Sequence, residues 1–224
     1  MLILAHRGYH QNVPENTLEA FAAAQALGVD GIETDLRLSS DGQVVLYHDR
    51  LAPDGREVSA LSRDELAKLA QHPIPTLREA LDAQPDLLWN LEIKHPSVVA
   101  AALAILPDYA RQRRILITSF WHNVVDEVRR HSYPCGLLEA NRPAELSPLV
   151  SRFKPGTQEF HKDRNISTIV WSFEMIDPAL LNAAREIGVK NWAYGLHTPA
   201  DHLRAVELQL DAVITDRPEF MPTR

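Results

Sequence analysis

Two carboxylates stand two residues apart in Glu33-Thr34-Asp35, and a carboxylate and an ammonium stand two apart in Glu92-Ile93-Lys94. Side chains alternate faces along an extended strand, so each pair points the same way. Ile32, Thr34 and Leu36 then face the other side. A histidine closes each of two other apolar runs: His6 ends Leu2–His6, and His48 ends Val44–His48 in phase with Val44 and Leu46. Three carboxylates gathered at one place repel one another and are costly to bury, so a cation is expected among them. Oxygen-only donors suit a hard divalent ion, Mg2+ or Ca2+, with water and substrate completing its shell. No cysteine cluster argues for zinc. Two imidazoles with an ordinary pKa near about 6.5 could act beside the ion as general acid and general base. Arg7 and Lys94 could clamp phosphate oxygens, the first as a fork and the second as a point charge.

Such groups work together only if the fold brings strand ends to one place. Short β-leaning runs recur along the chain: Leu2–His6, Gly31–Leu36, Val44–His48, Leu87–Ile93, Ile115–Phe120, Tyr133–Leu138, Ser167–Ser172, Lys190–Tyr194 and Asp211–Thr215. Helical patterns lie between most of them. The clearest is Leu18–Leu27, with Leu18, Phe21, Ala22 and Ala26 on one face and an Asn16…Glu19 capping box at its start. Others are Ser97–Leu106, Trp121–His131, Pro178–Ile187 and Pro199–Leu208, the last two opening on a proline that helix starts tolerate. Strands alternating with helices predict an α/β fold with a parallel sheet, either a (β/α)8 barrel or an open doubly wound sheet. The first strand–helix junction has no Gly-x-Gly-x-x-Gly, which disfavours a dinucleotide-binding sheet and favours the barrel. In a barrel the carboxyl ends of the strands carry the site, and the candidate residues sit there. Residues 50–86 break the rhythm with a Pro-Asp-Gly turn and two short helices near Arg63–Leu69 and Leu77–Ala83. That stretch is an excursion within a single domain spanning 1–224.

Composition narrows the classes further. The 224 residues are 45% hydrophobic and 24% charged, a balance that fits one ordinary globular domain and excludes extensive disorder. One cysteine, Cys135, cannot pair within the chain and is expected to be a buried small hydrophobe. A net charge of −7 argues against nucleic acid as partner but not against a small phosphate ester. No apolar run reaches membrane-spanning length, so no integral membrane association is expected. The start Met1-Leu2-Ile3-Leu4-Ala5 reaches His6 with no basic leader, so the expected location is cytoplasmic.

The motifs in series resemble one family. His6-Arg7-Gly8, Pro14-Glu15-Asn16-Thr17 leading to Ala20-Phe21, Glu33-Thr34-Asp35, His48-Asp49, Glu92-Ile93-Lys94 and Asp211–Pro218 are similar, in that order, to the glycerophosphodiester phosphodiesterases. The resemblance spans most of the chain. It implies a (β/α)8 TIM barrel that hydrolyses a small-molecule glycerophosphodiester to a glycerol phosphate and an alcohol. It implies Glu33, Asp35 and Glu92 as ligands of one divalent cation, and His6 and His48 as the acid–base pair. It implies Arg7 and Lys94 as phosphate contacts and Trp192 as an aromatic lining the substrate pocket. Two departures stand out. The family usually carries a longer insertion after His-Asp, and Trp192-Ala193-Tyr194-Gly195 replaces its usual Trp-Thr-x-Asn. The alternatives are a phospholipase-type barrel for lysophospholipid or sphingolipid headgroups, which needs an apolar rim, and a non-catalytic barrel that binds phosphometabolites. Lys94 as a Schiff-base lysine would leave the carboxylates and histidines surplus.

The remaining polar groups have plainer expectations. His10, His72, His95, His122, His131, His161, His197 and His202 are expected on the surface, with His10 and His197 nearest the site. Trp89, Trp121 and Trp171 are expected to pack in the core or against helices. Glu139 and Glu174 follow strands and could reach the mouth. Phe160–Asn165 is expected to be a solvated charged loop.

Overall fold

In the computed structural model, residues 1–140 and 166–222 are described. Its strands are β1 (Leu2–His6), β2 (Gly31–Leu38), β3 (Val44–Leu46), β4 (Leu88–Ile93), β5 (Arg114–Ser119), β6 (Cys135–Glu139), β7 (Ile166–Ser172), β8 (Lys190–Leu196) and β9 (Ala212–Thr215). The α-helices between them are α1 (Leu18–Ala26), α2 (Arg63–Ala70), α3 (Leu77–Ala83), α4 (Val99–Ile105), α5 (His122–Arg129), α6 (Pro178–Glu186) and α7 (Pro199–Glu207). The sheet runs β1-β9-β8-β7-β6-β5-β4-β2-β3, and β1 also pairs with β2. That extra pairing is parallel, with Leu4 opposite Gly31, and it closes the ring. β3 is antiparallel to β2 and stands outside. The other eight strands form the expected (β/α)8 barrel.

The core has three parts. Inside the ring, Leu4, Leu116, Leu138, Val170, Trp192, Ala212 and Ile214 pack as one cluster. Between ring and helices lies a larger cluster that includes Phe21, Trp89, Trp171 and Val125. Phe21 meets Trp89 edge-to-face at 5.3 Å, an arrangement aromatic quadrupoles favour. The excursion after β3 buries Val45, Ala52, Val58, Leu61, Leu66 and Ile74 in a cluster of its own. Helix starts are set locally: Ser62/Glu65, Thr76/Glu79 and Thr198/Asp201 form capping boxes, and Asp177 caps α6.

Several expectations are corrected. The cap of α1 is Thr17, whose hydroxyl accepts from the Ala20 N–H, because Asn16 is turned inward in a left-handed conformation. α1 buries Ala20, Phe21 and Ala24, while Leu18 is exposed. β3 stops at Leu46, so His48 lies in the loop beyond it. Trp121 is 48% exposed at the start of α5 rather than packed. His202 is fully buried, its ring held between the Thr198 carbonyl and the Thr215 hydroxyl at 2.7 and 2.8 Å. Cys135 is buried as expected. Phe160–Asn165, with His161, lies outside the described residues. Among the described residues no helix is long and apolar enough to cross a membrane.

Candidate active site

The carboxyl ends of β1, β2 and β4 bring the acidic residues together. Asp35 and Glu92 are direct ladder partners, and Glu33 sits one layer deeper, opposite Asn90. Glu33, Asp35 and Glu92 each offer a carboxylate oxygen, and these oxygens lie within 4.8 Å of one another. All three residues are buried. The turn that follows β1 is strained where it serves this cluster. Arg7 and Gly8 are consecutive left-handed residues, and a Cβ at Gly8 would stand 2.8 Å from the Ala20 backbone. Only glycine suits that second position. Strain of the kind held at Arg7 persists where the surroundings over-determine it, and functional sites collect it.

The cations fold back onto the carboxylates. Lys94 Nζ is 2.8 Å from Glu92 Oε1 and 3.3 Å from Asp35 Oδ1. Arg7 Nε lies 3.2 Å from Asp35 Oδ2, while Arg7 Nη1 donates to both oxygens of Glu15 at 3.0 and 2.9 Å. Asn16 Nδ2 donates to Asp35 Oδ2 at 2.9 Å, and Asn16 Oδ1 accepts from the Thr34 hydroxyl at 2.6 Å. Burial works against the Asp35 carboxylate, but Lys94, Arg7, His48 and Asn16 outweigh it and hold its pKa below the usual range. Glu33 is pushed well above its usual range, first by burial and then by the Asp35 and Glu92 charges. Glu92 is also raised by burial, against the pull of Lys94. Burial opposes the charge on Lys94 too, yet Asp35 and Glu92 leave its pKa raised. One corner of the site is thus overcharged with anion.

That corner fits a hard divalent cation. Glu33 Oε1 is a buried acceptor with no hydrogen-bond partner, and Asp35 Oδ1, also without a hydrogen bond, has only the Lys94 ammonium at 3.3 Å. Buried polar atoms are nearly always satisfied, so such atoms call for a ligand. The donor set is carboxylate oxygen alone, the preference of Mg2+ and Ca2+.

Both expected histidines face this cluster, each with a carboxylate behind it. His6 Nδ1 lies 2.7 Å from Asp216 Oδ1, and its Nε2 is 3.7 Å from Glu33 Oε2. His48 Nδ1 lies 2.8 Å from Asp49 Oδ1. A carboxylate only accepts, so in each neutral ring Nδ1 carries the proton and Nε2 keeps the lone pair. Burial lowers the His48 pKa, and Asp35 only partly offsets it. The His48 carbonyl accepts from Arg37 Nε and Nη2 at 2.9 and 2.5 Å, which pins the loop.

A cavity of about 240 Å³ opens above these groups, lined by His6, Arg7, Glu33, His48, Glu92 and Lys94 together with Phe120, Leu138 and Tyr194. A second hollow of about 320 Å³ adjoins it, sharing His6 and Tyr194 and adding Glu174, His197 and Asp216. Seven of the eight expected site residues therefore meet. Trp192 does not. It is 3% exposed inside the ring and lines a cavity at the barrel's other end, with Leu2, Leu88 and Lys190. Tyr194, two residues on and on the same face, takes the place expected of it, and Phe120 meets the Tyr194 ring edge-on at 6.0 Å. His10 lies 3.7 Å from Asp216 Oδ1, and Glu139 lies 3.7 Å from His122 Nε2, away from the carboxylates. Arg37 and Phe120 were not singled out from the sequence, and Asp216, Asp49, Glu15, Asn16 and Tyr194 stood within quoted motifs without a site role. Asp216 had a usable signal, as the first residue past an apolar strand run. Asn16 had none, because its neighbours spell a helix cap.

Known proteins share this chain's sequence pattern and fold. The family model described as "Glycerophosphoryl diester phosphodiesterase family" matches residues 6–220. A glycerophosphodiester phosphodiesterase of Caldanaerobacter subterraneus is 30% identical over 98% of this chain and 96% of its own length. The crystal structure of a glycerophosphodiester phosphodiesterase from Thermotoga maritima is similar with a TM-score of 0.79 and 28% identity, covering 98% of this chain and 96% of that one. A phosphodiesterase from Oleispira antarctica, solved with the product sn-glycerol-3-phosphate, shares the fold with a TM-score of 0.81 at 22% identity, covering 98% and 94%.

Proposed function

This chain belongs to the glycerophosphoryl diester phosphodiesterase family and is a phosphoric diester hydrolase, and from that premise we propose that Glu33, Asp35 and Glu92 hold one divalent cation, Mg2+ or Ca2+, beside a His6/His48 acid–base pair. The overall reaction is hydrolysis of a glycerophosphodiester to a glycerol phosphate and an alcohol. The observation that carries the reading is the convergence of three buried carboxylates with two imidazoles, each backed by a carboxylate, at one barrel mouth. When bound, the cation supplies Lewis-acid polarisation of a phosphoryl oxygen and neutralises developing charge.

The chain's own residues do the rest. Lys94 and Arg7, which line the cavity, are placed to bind the non-bridging phosphate oxygens, Lys94 as a point charge and Arg7 through its guanidinium while Glu15 holds Nη1 from behind. His48, whose burial favours the neutral ring, takes the proton of the attacking oxygen at Nε2. His6 acts in its doubly protonated form, keeping the Nδ1 proton on Asp216 and giving the Nε2 proton to the leaving alcohol oxygen as the P–O bond breaks. Asp216 and Asp49 are positioning residues that fix each ring's tautomer and aim. The Phe120 and Tyr194 rings line the same cavity and give it an aromatic wall.

A second reading has one observation in its favour. Phe120 and Trp121 are 40% and 48% exposed beside the mouth, which is the apolar rim a lysophospholipid headgroup enzyme needs. The deciding experiment is release of alcohol and glycerol phosphate from a panel of glycerophosphodiesters and lysophospholipids by metal-stripped protein, with Mg2+, Ca2+ or Mn2+ then restored. Release that returns only with metal and is absent in Glu33→Ala supports the proposal. Release from metal-free protein, or from the lysophospholipids alone, overturns it.

A further inference from the structure

Asn90 stands on β4 two residues before Glu92 and opposite Glu33 in the β2 ladder. It lines the carboxylate cavity, yet it is wholly buried. Its amide oxygen accepts from the Thr118 hydroxyl at 2.9 Å, and Thr118 is itself wholly buried. Its amide nitrogen has no hydrogen-bond partner. With the oxygen committed to Thr118, the nitrogen is the end left for the cavity that Glu33 and Glu92 also line. The opposite amide orientation would turn a partial negative charge toward carboxylates, so electrostatics favours this one.

Glu33 carries the complementary gap. Its Oε2 takes the Arg7 backbone N–H at 3.3 Å, while its Oε1 is buried without a partner. An orphan donor and an orphan acceptor thus occupy paired positions on adjacent strands, in one cavity, and are not bonded to each other. A merely structural polar pair would close that gap, because an unmade buried hydrogen bond is costly. The mechanism above gives Asn90 no task.

We propose that Asn90 is a positioning residue for the cation site: its unpartnered amide N–H is the donor that holds the Glu33 carboxylate in the rotamer in which that group serves as a ligand, a bond made only when a cation occupies the triad. The inference rests on the reading that the triad holds a divalent cation. Thr118 anchors the amide from behind, as outer groups commonly orient a metal ligand. An amide suits the position because it brings a donor without adding a further charge to three carboxylates.

The test is calorimetric titration of Mg2+, Ca2+ or Mn2+ into metal-stripped protein, which reads cation affinity without reference to turnover. Asn90→Leu keeps the volume and removes the donor. It is expected to weaken cation binding about 10- to 100-fold, the usual penalty for losing an outer-shell partner. Thr118→Val leaves the amide but unpins it, and a smaller loss is expected. Wild-type affinity in a folded Asn90→Leu protein overturns the proposal and makes Asn90 a packing residue. If Asn90→Leu does not fold, unchanged affinity in Thr118→Val overturns it instead. Wild-type protein that takes up no cation overturns the triad reading and this inference together, whereas normal uptake lost only in Glu33→Ala overturns this inference alone.

Discussion

The barrel is hollow at both ends, and the larger hollow is not the one that holds the candidate site. The amino-terminal cavity measures about 930 Å³ against about 240 Å³ at the carboxyl end. Its described lining includes Arg111, Arg113, Arg114 and Lys190 and no carboxylate. Two of those arginines are engaged in holding backbone: Arg113 Nε donates to the Leu81 carbonyl near the end of α3 at 3.2 Å, and Arg114 Nη2 to the Asp30 and Asp86 loop carbonyls at 3.4 and 3.3 Å. At the other end opposite charges are buried together, acceptors go unpaired and the backbone is strained at Arg7. One end has charges arranged to satisfy the chain, and the other has charges the chain alone does not satisfy. The proposed chemistry follows the second condition rather than the size of the hollow, in keeping with the division of labour between barrel faces.

The sharpest way to break this contrast is to remove the unsatisfied charge at one end and a cation at the other. Glu33→Ala, or stripping of divalent metal, is expected to abolish turnover, because several kcal/mol of charge stabilisation corresponds to at least about 10³-fold in rate. Arg114→Ala is expected to leave turnover within about twofold and to lower stability by about 1 kcal/mol, the scale of hydrogen bonds lost to exposed carbonyls. Steady-state kinetics and thermal melts on both variants decide it. An Arg114→Ala enzyme that lost turnover without losing stability would tie the two ends together.

Next in size are the imidazoles. His6→Gln and His48→Gln are each expected to lower kcat by about 10²-fold or more while leaving cation binding in place. The pH profile separates them. Burial lowers the His48 pKa, so loss of rate toward acid should begin below the ordinary histidine value of about 6.5. An acid limb at or above that value would remove His48 from the role of base.

A smaller effect concerns the folded state without metal. Glu33 has a raised pKa, so the folded chain holds its proton more tightly than the unfolded chain does. The stability this contributes is present below the unfolded value and is lost as pH rises through the folded one. Asp35 acts in the opposite sense, since its lowered pKa withdraws stability only as pH falls through that folded value. Metal-free protein should therefore melt lower as pH is raised above the usual carboxylate range, and a divalent cation should restore the loss. Glu33→Gln should flatten that slope; an unchanged slope would mean that the buried carboxylates do not carry the anionic excess argued here.

Legibility in the sequence divided along the same line. Glu33, Asp35, Glu92 and Lys94 were readable because a strand's two-residue period puts them on one face whatever surrounds them. His6 was readable because a polar residue ending a barrel strand sits at its mouth, whereas His48 lies beyond β3, which stands outside the ring, and was readable only as a histidine closing an apolar run. Asp216, which orients His6 from 210 positions away, depends on the ring closing between β1 and β9. Asn16 depends on a left-handed turn that local propensity assigns to a cap. Trp192 failed for a different reason. The period gave its face correctly, but only the register of β8 against β9 says how deep along that face it lies.

That register gives the finest test of the contrast, within one strand. Trp192 and Tyr194 share a face of β8, yet one lines the amino-terminal cavity and the other the catalytic one. The Trp192 indole N–H is buried and has no partner, so Trp192→Phe loses ring area but no hydrogen bond. Its effect should be confined to stability, about 1 to 3 kcal/mol or several degrees in Tm, with KM unmoved. Tyr194→Ala removes a wall of the catalytic cavity and the ring that Phe120 packs against. It should raise KM about 3- to 10-fold with a smaller change in kcat, the mark of lost uniform binding. If Trp192→Phe raised KM as Tyr194→Ala does, substrate would reach one layer deeper than the cavity drawn here, and the two ends of the barrel would be a single site.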